Sequence, residues 1–344
     1  MIVQQALKIR IHDDELAQHP LWRPIVLQLA NVPITIAPES AAATAAEWTN
    51  VTLRVRHSPT MFQAWAQPDN TIRVDSGLVD GLWCLAVACY SFQEQYESAF
   101  RSADPTKVPF DLDPARPAVA IAFQYLHAAL NLIIDRTPVI HSNLPPLTDD
   151  LHRAAQQLTL CAAGFVLFHE FAHLTLGHLA NGGTAEQTQD TRASSRQNES
   201  DGDNFALNHI FADDGAALSP AERAFRAWGV VLTTLAFAAR EMARNSDAEA
   251  APGAAVPDVT NRTHPIGYAR LDRILQHTAV ASSASTLETI YNAACIPLYF
   301  LAVDKQAIPS MQGLRVRSMR ELYETTADQL WAQLERLPKT KPDS

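Results

Sequence analysis

The segment His169-Glu170-Phe171-Ala172-His173 sets two imidazoles and a carboxylate at a spacing that can bind a metal ion and use it. On an α-helix, residues four apart lie about 40° apart around the axis and one turn along it, so both rings can reach one ion. Neutral imidazole is a good ligand for zinc. Glu170 falls about 100° round from His169, beside the ion rather than on it, where it can take a proton from a water held there. With 12 His in the chain, a chance match to this short pattern is a real risk. The surroundings argue against chance. Phe165, Val166, Leu167, Phe168, Leu174 and Leu176 make the stretch strongly apolar, and a carboxylate placed among them is costly unless its charge is used.

A catalytic zinc takes three protein ligands and keeps a fourth position for water. His178, five residues past His173, lies about 140° round a continued helix, so it is expected to point elsewhere as a core or helix-end histidine. Glu199, in Asn198-Glu-Ser-Asp-Gly-Asp-Asn-Phe-Ala206, is the better third ligand. Asp203, one turn further on the same face, could hold a ligating His by its other ring nitrogen. The same acidic residues would also suit a solvated helix start.

These residues resemble a known pattern. His169-Glu-Phe-Ala-His173 with Leu176-Gly-His178, followed by Glu199-x-x-x-Asp203-x-x-Ala206, is similar to the gluzincin peptidases that include the CAAX-prenyl proteases and their soluble bacterial relatives. Met61 to Leu78 resembles the hairpin and Gly-Leu helix start that precede the zinc helix there, and Thr263-His-Pro-Ile-Gly-Tyr-Ala-Arg270 resembles the late His-Pro…Arg element. The stretch between Gly77 and His169 is longer than in many members, and Gly202 replaces the usual Ala. A soluble layout of this kind occurs in the phage-exclusion (Lit-like) peptidases. The resemblance implies a zinc metallopeptidase (Zn2+ as cofactor) held by His169, His173 and Glu199, with Glu170 catalytic and Asp203 behind a ligand. It implies His264 and Arg270 near the substrate, the His stabilising charge on the scissile oxygen. It also implies an intracellular protein substrate and a possible activating partner or regulator. Thr263-His264-Pro265 independently reads as a helix start, with Pro at the first helical position and His264 at the cap.

The elements that must position these groups read as mostly helical. Helices are expected over residues 14–30 and 39–48, then 77–100 and 115–135, with one continuous helix over 147–180 carrying the His-Glu-x-x-His motif. Further helices are expected at 265–277, 285–303 and 317–336. The alternating runs Val51–Arg56, Met61–Ala66 and Thr71–Asp75 suggest a small antiparallel sheet, with Thr71–Asp75 at an edge near the zinc and able to pair with an extended peptide. Residues 181–196 and 245–261 lack an apolar period and read as loops that could cover the site. The fold class expected is α+β, mostly α: one zincin-like domain over 1–344, with an N-terminal helical segment (1–50), a catalytic core (51–280) and C-terminal helices (281–344).

Composition narrows the setting. The 344-residue chain is 47% hydrophobic, enough for a sizeable core, and its net charge of −10 disfavours nucleic acid or an anionic membrane as the main partner. Cys84, Cys89, Cys161 and Cys295 sit in apolar contexts without a CxxC pair, as reduced core residues do. The most apolar helix, Ala227–Ala239, is too short to span a bilayer. No membrane span and a cytoplasmic location are therefore expected. Two competing readings are a zinc-stabilised binding or sensor protein, which leaves Glu170 unexplained, and a zinc hydrolase of a small-molecule amide.

Overall fold

The structure, a computed structural model, describes residues 8–11, 50–102, 117–179, 189–211, 218–250 and Ile274. In chain order these form strands β1 (Lys8–Ile11), β2 (Thr52–Arg56), β3 (Ala64–Gln67) and β4 (Thr71–Asp75). Helices α1 (Ser76–Ser102), α2 (Pro117–Asp135), α3 (Asp149–Thr175), α4 (Gln189–Ile210) and α5 (Pro220–Ala250) follow. The α+β, mostly α expectation holds. The helices expected at 14–30, 39–48, 265–277, 285–303 and 317–336 lie outside the described residues, apart from Ile274, which is helical and buried. The N-terminal segment read as helical contains a strand, β1.

The sheet is mixed rather than antiparallel, in the order β1-β2-β4-β3. β2 runs parallel to both β1 and β4, and only the β3–β4 hairpin is antiparallel. Pro68-Asp69-Asn70 makes its turn, with Asn70 at φ 58° and the Asp69 carboxylate accepting the Thr71 N–H at 3.1 Å. Because β4 inserts between β2 and β3, Thr71–Asp75 is an interior strand, and among the described residues β3 forms the edge on that side. The burial of β4 agrees: Thr71, Ile72, Val74 and Asp75 are all buried. Asp75 is sealed by a two-point ion pair from Arg56 at 2.7 and 3.0 Å.

The helices start where local chemistry allows. Thr148 accepts the Leu151 N–H ahead of α3, whose first turn carries Asp149 and Asp150 against the positive end of the helix. Ser219 and Glu222 form a reciprocal capping box ahead of α5. α3 is the central element. Its Phe165, Val166, Leu167, Phe168 and Phe171 are almost wholly buried among α1, α4 and α5. α5 crosses it so closely that a Cβ on Gly229 would lie 2.7 Å from that of Cys161, and the Thr233 hydroxyl donates to the Ala162 carbonyl at 3.0 Å. Among the described residues α3 is the helix long and apolar enough by composition to cross a membrane; 72% of its apolar window is buried inside the fold. The run Ala227–Ala239 lies within a longer helix of 31 residues.

Both expected loops are shortened by helix. α4 begins at Gln189, so residues 189–196 are helical, and α5 continues to Ala250. Residues 180–188 and 251–261 lie outside the described residues.

Candidate metal and catalytic site

α3 and α4 meet over the His-Glu-x-x-His segment. Phe168 and Phe171 of α3 pack against His209 and Phe205 of α4, with ring centroids 5.1 and 6.0 Å apart, and Ala206 and Leu207 are fully buried beside them. Upstream of that contact the helices come closer still at Gly202. A Cβ there would stand 2.9 Å from Cε1 and 3.0 Å from Nδ1 of His169. The missing side chain leaves room for the imidazole and lets Glu199 and Asp203, on either side of Gly202, reach it together.

The Nε2 atoms of His169 and His173 lie 3.2 Å apart, and the Glu199 carboxylate stands 3.3 Å from the first and 3.6 Å from the second. The three ligand-type atoms lie within 4.8 Å of one another. Two imidazole nitrogens turned toward each other and a carboxylate make a borderline-soft N/O donor set of the kind zinc takes. Behind it, Nδ1 of His169 meets the carboxylate of Asp203 at 3.0 Å, and Asp203 is 1% exposed. A carboxylate in that position fixes the tautomer that leaves Nε2 free for an ion.

His178 departs from expectation. α3 ends at Thr175, and Gly177 takes the left-handed conformation, φ 71°, while the His178 N–H bonds back to the His173 carbonyl at 3.2 Å. This Schellman-type ending reverses the chain and brings Nδ1 of His178 to 3.0 Å from Nδ1 of His173. The angular estimate failed because it continued a helix that had already stopped. Leu-Gly-His after the motif was the available signal, since Gly is the residue that ends helices this way. Burial lowers the pKa of His178 below the ordinary imidazole value, opposed by the nearby Asp201 and Glu199 and reinforced by His169. The second nitrogen of each histidine thus faces a polar neighbour, the Asp203 carboxylate for His169 and the His178 imidazole for His173.

Glu170 lies on the cleft side. Its carboxylate accepts the backbone N–H of Ala66 at 2.7 Å, which ties the catalytic candidate to edge strand β3. The cleft, about 470 Å³, runs between β3 and the α3–α4 pair and includes Trp65, Asn198 and Arg240. Sequence reasoning did not single out Arg240. It donates to the carbonyl of Phe62 and, at 3.4 Å, to the side chain of Gln63, bracing the chain as it enters β3 from α5. Cys84, Cys89 and Cys161 are free and buried, and burial pushes the thiols up, Cys89 and Cys161 to about 12, so none is a ready nucleophile. His264 and Arg270 lie outside the described residues.

A mostly helical α+β fold that holds His169-Glu170-x-x-His173 and Glu199 at the floor of a cleft, under a strand edge, has the layout of a hydrolase site. Residues 72–290, more than half of the chain, match the family Peptidase U49, and the chain belongs to that family. The matched span includes α1 and α3 and, with them, His169, Glu170, His173, Glu199 and Asp203; β3, which borders the cleft, lies before it. No curated protein and no solved structure matches it. Family membership makes a protein or peptide the substrate class.

Proposed function

We propose that this protein is a zinc-dependent endopeptidase of the gluzincin kind, similar in layout to the Lit-like peptidases, acting on an intracellular protein. The observation that carries the reading is the convergence of His169, His173 and Glu199 within 4.8 Å, with Glu170 beside them on the cleft wall. A structural zinc site would need the three ligands but has no use for a carboxylate next to them that faces an open cleft.

His169, His173 and Glu199 would hold the ion, and when bound it supplies Lewis-acid polarisation and lowers the pKa of water. Asp203 and His178 hold the ligating rings in orientation. Glu170 takes the proton from the attacking water and returns it to the leaving amine. Its hydrogen bond from Ala66 keeps it at the point where β3 borders the cleft. Strand geometry turns the backbone groups of alternate residues to the same side, so Ala64 shares the outward direction of Ala66. An extended substrate would therefore pair along β3 at Ala64, since the Ala66 N–H is taken by Glu170, and not along Thr71–Asp75 as the sequence suggested. The buried thiols fit a reducing compartment.

The test is to identify new N-termini in cell lysate treated with wild-type protein and with Glu170→Gln. Termini that arise with wild type alone support the reading. Identical peptide pools from both would reject it.

A further inference from the structure

The sheet has two unlike sides. Leu53, Val55, Ile72 and Val74 face the core, while Arg54, Arg56, Arg73 and Trp65 occupy the other side. The register aligns them. Arg54 pairs with Arg73 across β2 and β4, Arg73 pairs with Trp65 across β4 and β3, and Arg10 of β1 is the register partner of Arg54. Like charges directly opposite on neighbouring strands destabilise a sheet unless something offsets them. Arg56 is offset by Asp75. The Nε atoms of Arg54 and Arg73 are out of water and, among the described residues, have no hydrogen-bond acceptor. Arg56 and Arg73 also lie against the indole of Trp65, with Cζ atoms 5.2 and 5.9 Å from the ring centre.

Two adjacent arginines whose Nε–H groups lack an acceptor, on a chain whose net charge is −10, call for an anion. Trp65 connects this face to the cleft, because it lines the cleft and stands on the strand whose edge borders it. Side chains of a peptide extended along β3 would alternate between the two sides of the sheet, and every second one would pass over Trp65 toward Arg73. Guanidinium forks suit carboxylates in particular, which they bind through two parallel hydrogen bonds. A long nucleic acid would bring a dense line of negative charge against an already acidic protein.

We propose that Arg54, Arg73 and Trp65 form a docking site for an Asp/Glu-rich segment of the protein substrate, engaged together with the cleft. The proposal rests on the peptidase reading and gives that reading a substrate class.

The experiment measures binding of fluorescein-labelled peptides to the full chain by anisotropy, in a Glu170→Gln background so that nothing is cut. One peptide carries a Glu-Asp-Glu-Glu cluster; its counterpart carries Gln-Asn-Gln-Gln. The acidic peptide should bind tighter by on the order of 10- to 100-fold, the range expected for charge-assisted contacts. Added salt should weaken it. Arg54→Gln with Arg73→Gln should abolish the preference, and Arg54→Lys with Arg73→Lys should keep part of it. Equal binding of the two peptides, or an acidic preference that survives the double Gln variant, would overturn the site. So would an oligonucleotide of equal charge that displaces the acidic peptide more effectively than unlabelled acidic peptide does. The peptide comparison with both arginines intact needs no substitution on the sheet, so a variant that fails to fold does not decide the matter. A protein that cleaves substrate without acidic preference loses this site alone, whereas one with the preference that cleaves nothing contradicts the peptidase reading.

Discussion

Gly202→Ala separates the metal site from the fold around it. The new methyl would lie 2.9 Å from Cε1 of His169, where an ordinary contact begins at 3.4 Å, so the ring must retreat by about 0.5 Å. Metal–ligand distances tolerate only about ±0.2 Å. The ring has nowhere to retreat without cost, since it is 7% exposed and held to Asp203 at 3.0 Å. Displacing a ligand by that much should weaken zinc binding by on the order of 10- to 100-fold, as losing an outer partner does. That corresponds to about 1.4–2.7 kcal/mol. Helix propensity acts in the opposite direction, because Ala is better than Gly in a helix interior by about 1 kcal/mol. The strain of moving a buried ring offsets that gain, so the metal-free variant should melt close to the wild-type temperature while its zinc affinity falls. Chelator competition gives the affinity, and thermal unfolding of the metal-free proteins gives the stability. Zinc affinity equal to wild type would refute the reasoning. A parallel loss of stability and affinity would mean that the methyl disrupts α4 and not the ring.

Substitutions at four other residues test roles beyond the three ligands. His178→Ala should lower zinc affinity by about tenfold and His178→Asn, which can still accept from Nδ1 of His173, should recover part of it; chelator competition distinguishes them. Asp203→Ala should cost roughly 10–100-fold in affinity and Asp201→Ala little, read as retained zinc by mass spectrometry. His264→Ala should leave zinc content and melting temperature unchanged while kcat falls by about 10²–10³, the usual cost of losing one donor to a developing oxyanion.

The sequence carried α3 and its three chemical residues because a four-residue spacing on a helix is a local geometric fact. Glu199 and Asp203 were legible for the same reason once α4 was taken as helical. His178 was not, since its placement depends on where α3 stops, and a single left-handed Gly177 moves the imidazole from the far side of the helix to His173. Gly202 was visible only as a departure from the resembled pattern; that it makes room for a ring on another helix is a tertiary fact. The hairpin could be read from Pro68-Asp69-Asn70, but the position of β4 inside the sheet could not, because strand order reflects pairing between distant residues. That error assigned substrate pairing to Thr71–Asp75, whereas among the described residues the edge beside the cleft is Ala64–Gln67. The helical starts of α4 and the end of α5 were missed because their residues are polar on every side.

The central claim is tested most directly by comparing wild type and Glu170→Gln for zinc content and for hydrolysis of the same protein substrate. The account predicts about one zinc per chain in both proteins and a loss of turnover of roughly 10²–10⁴-fold in the variant alone, the usual contribution of a positioned general base. Normal cleavage by Glu170→Gln, or a wild-type protein that binds no zinc when expressed with zinc in excess, would contradict it.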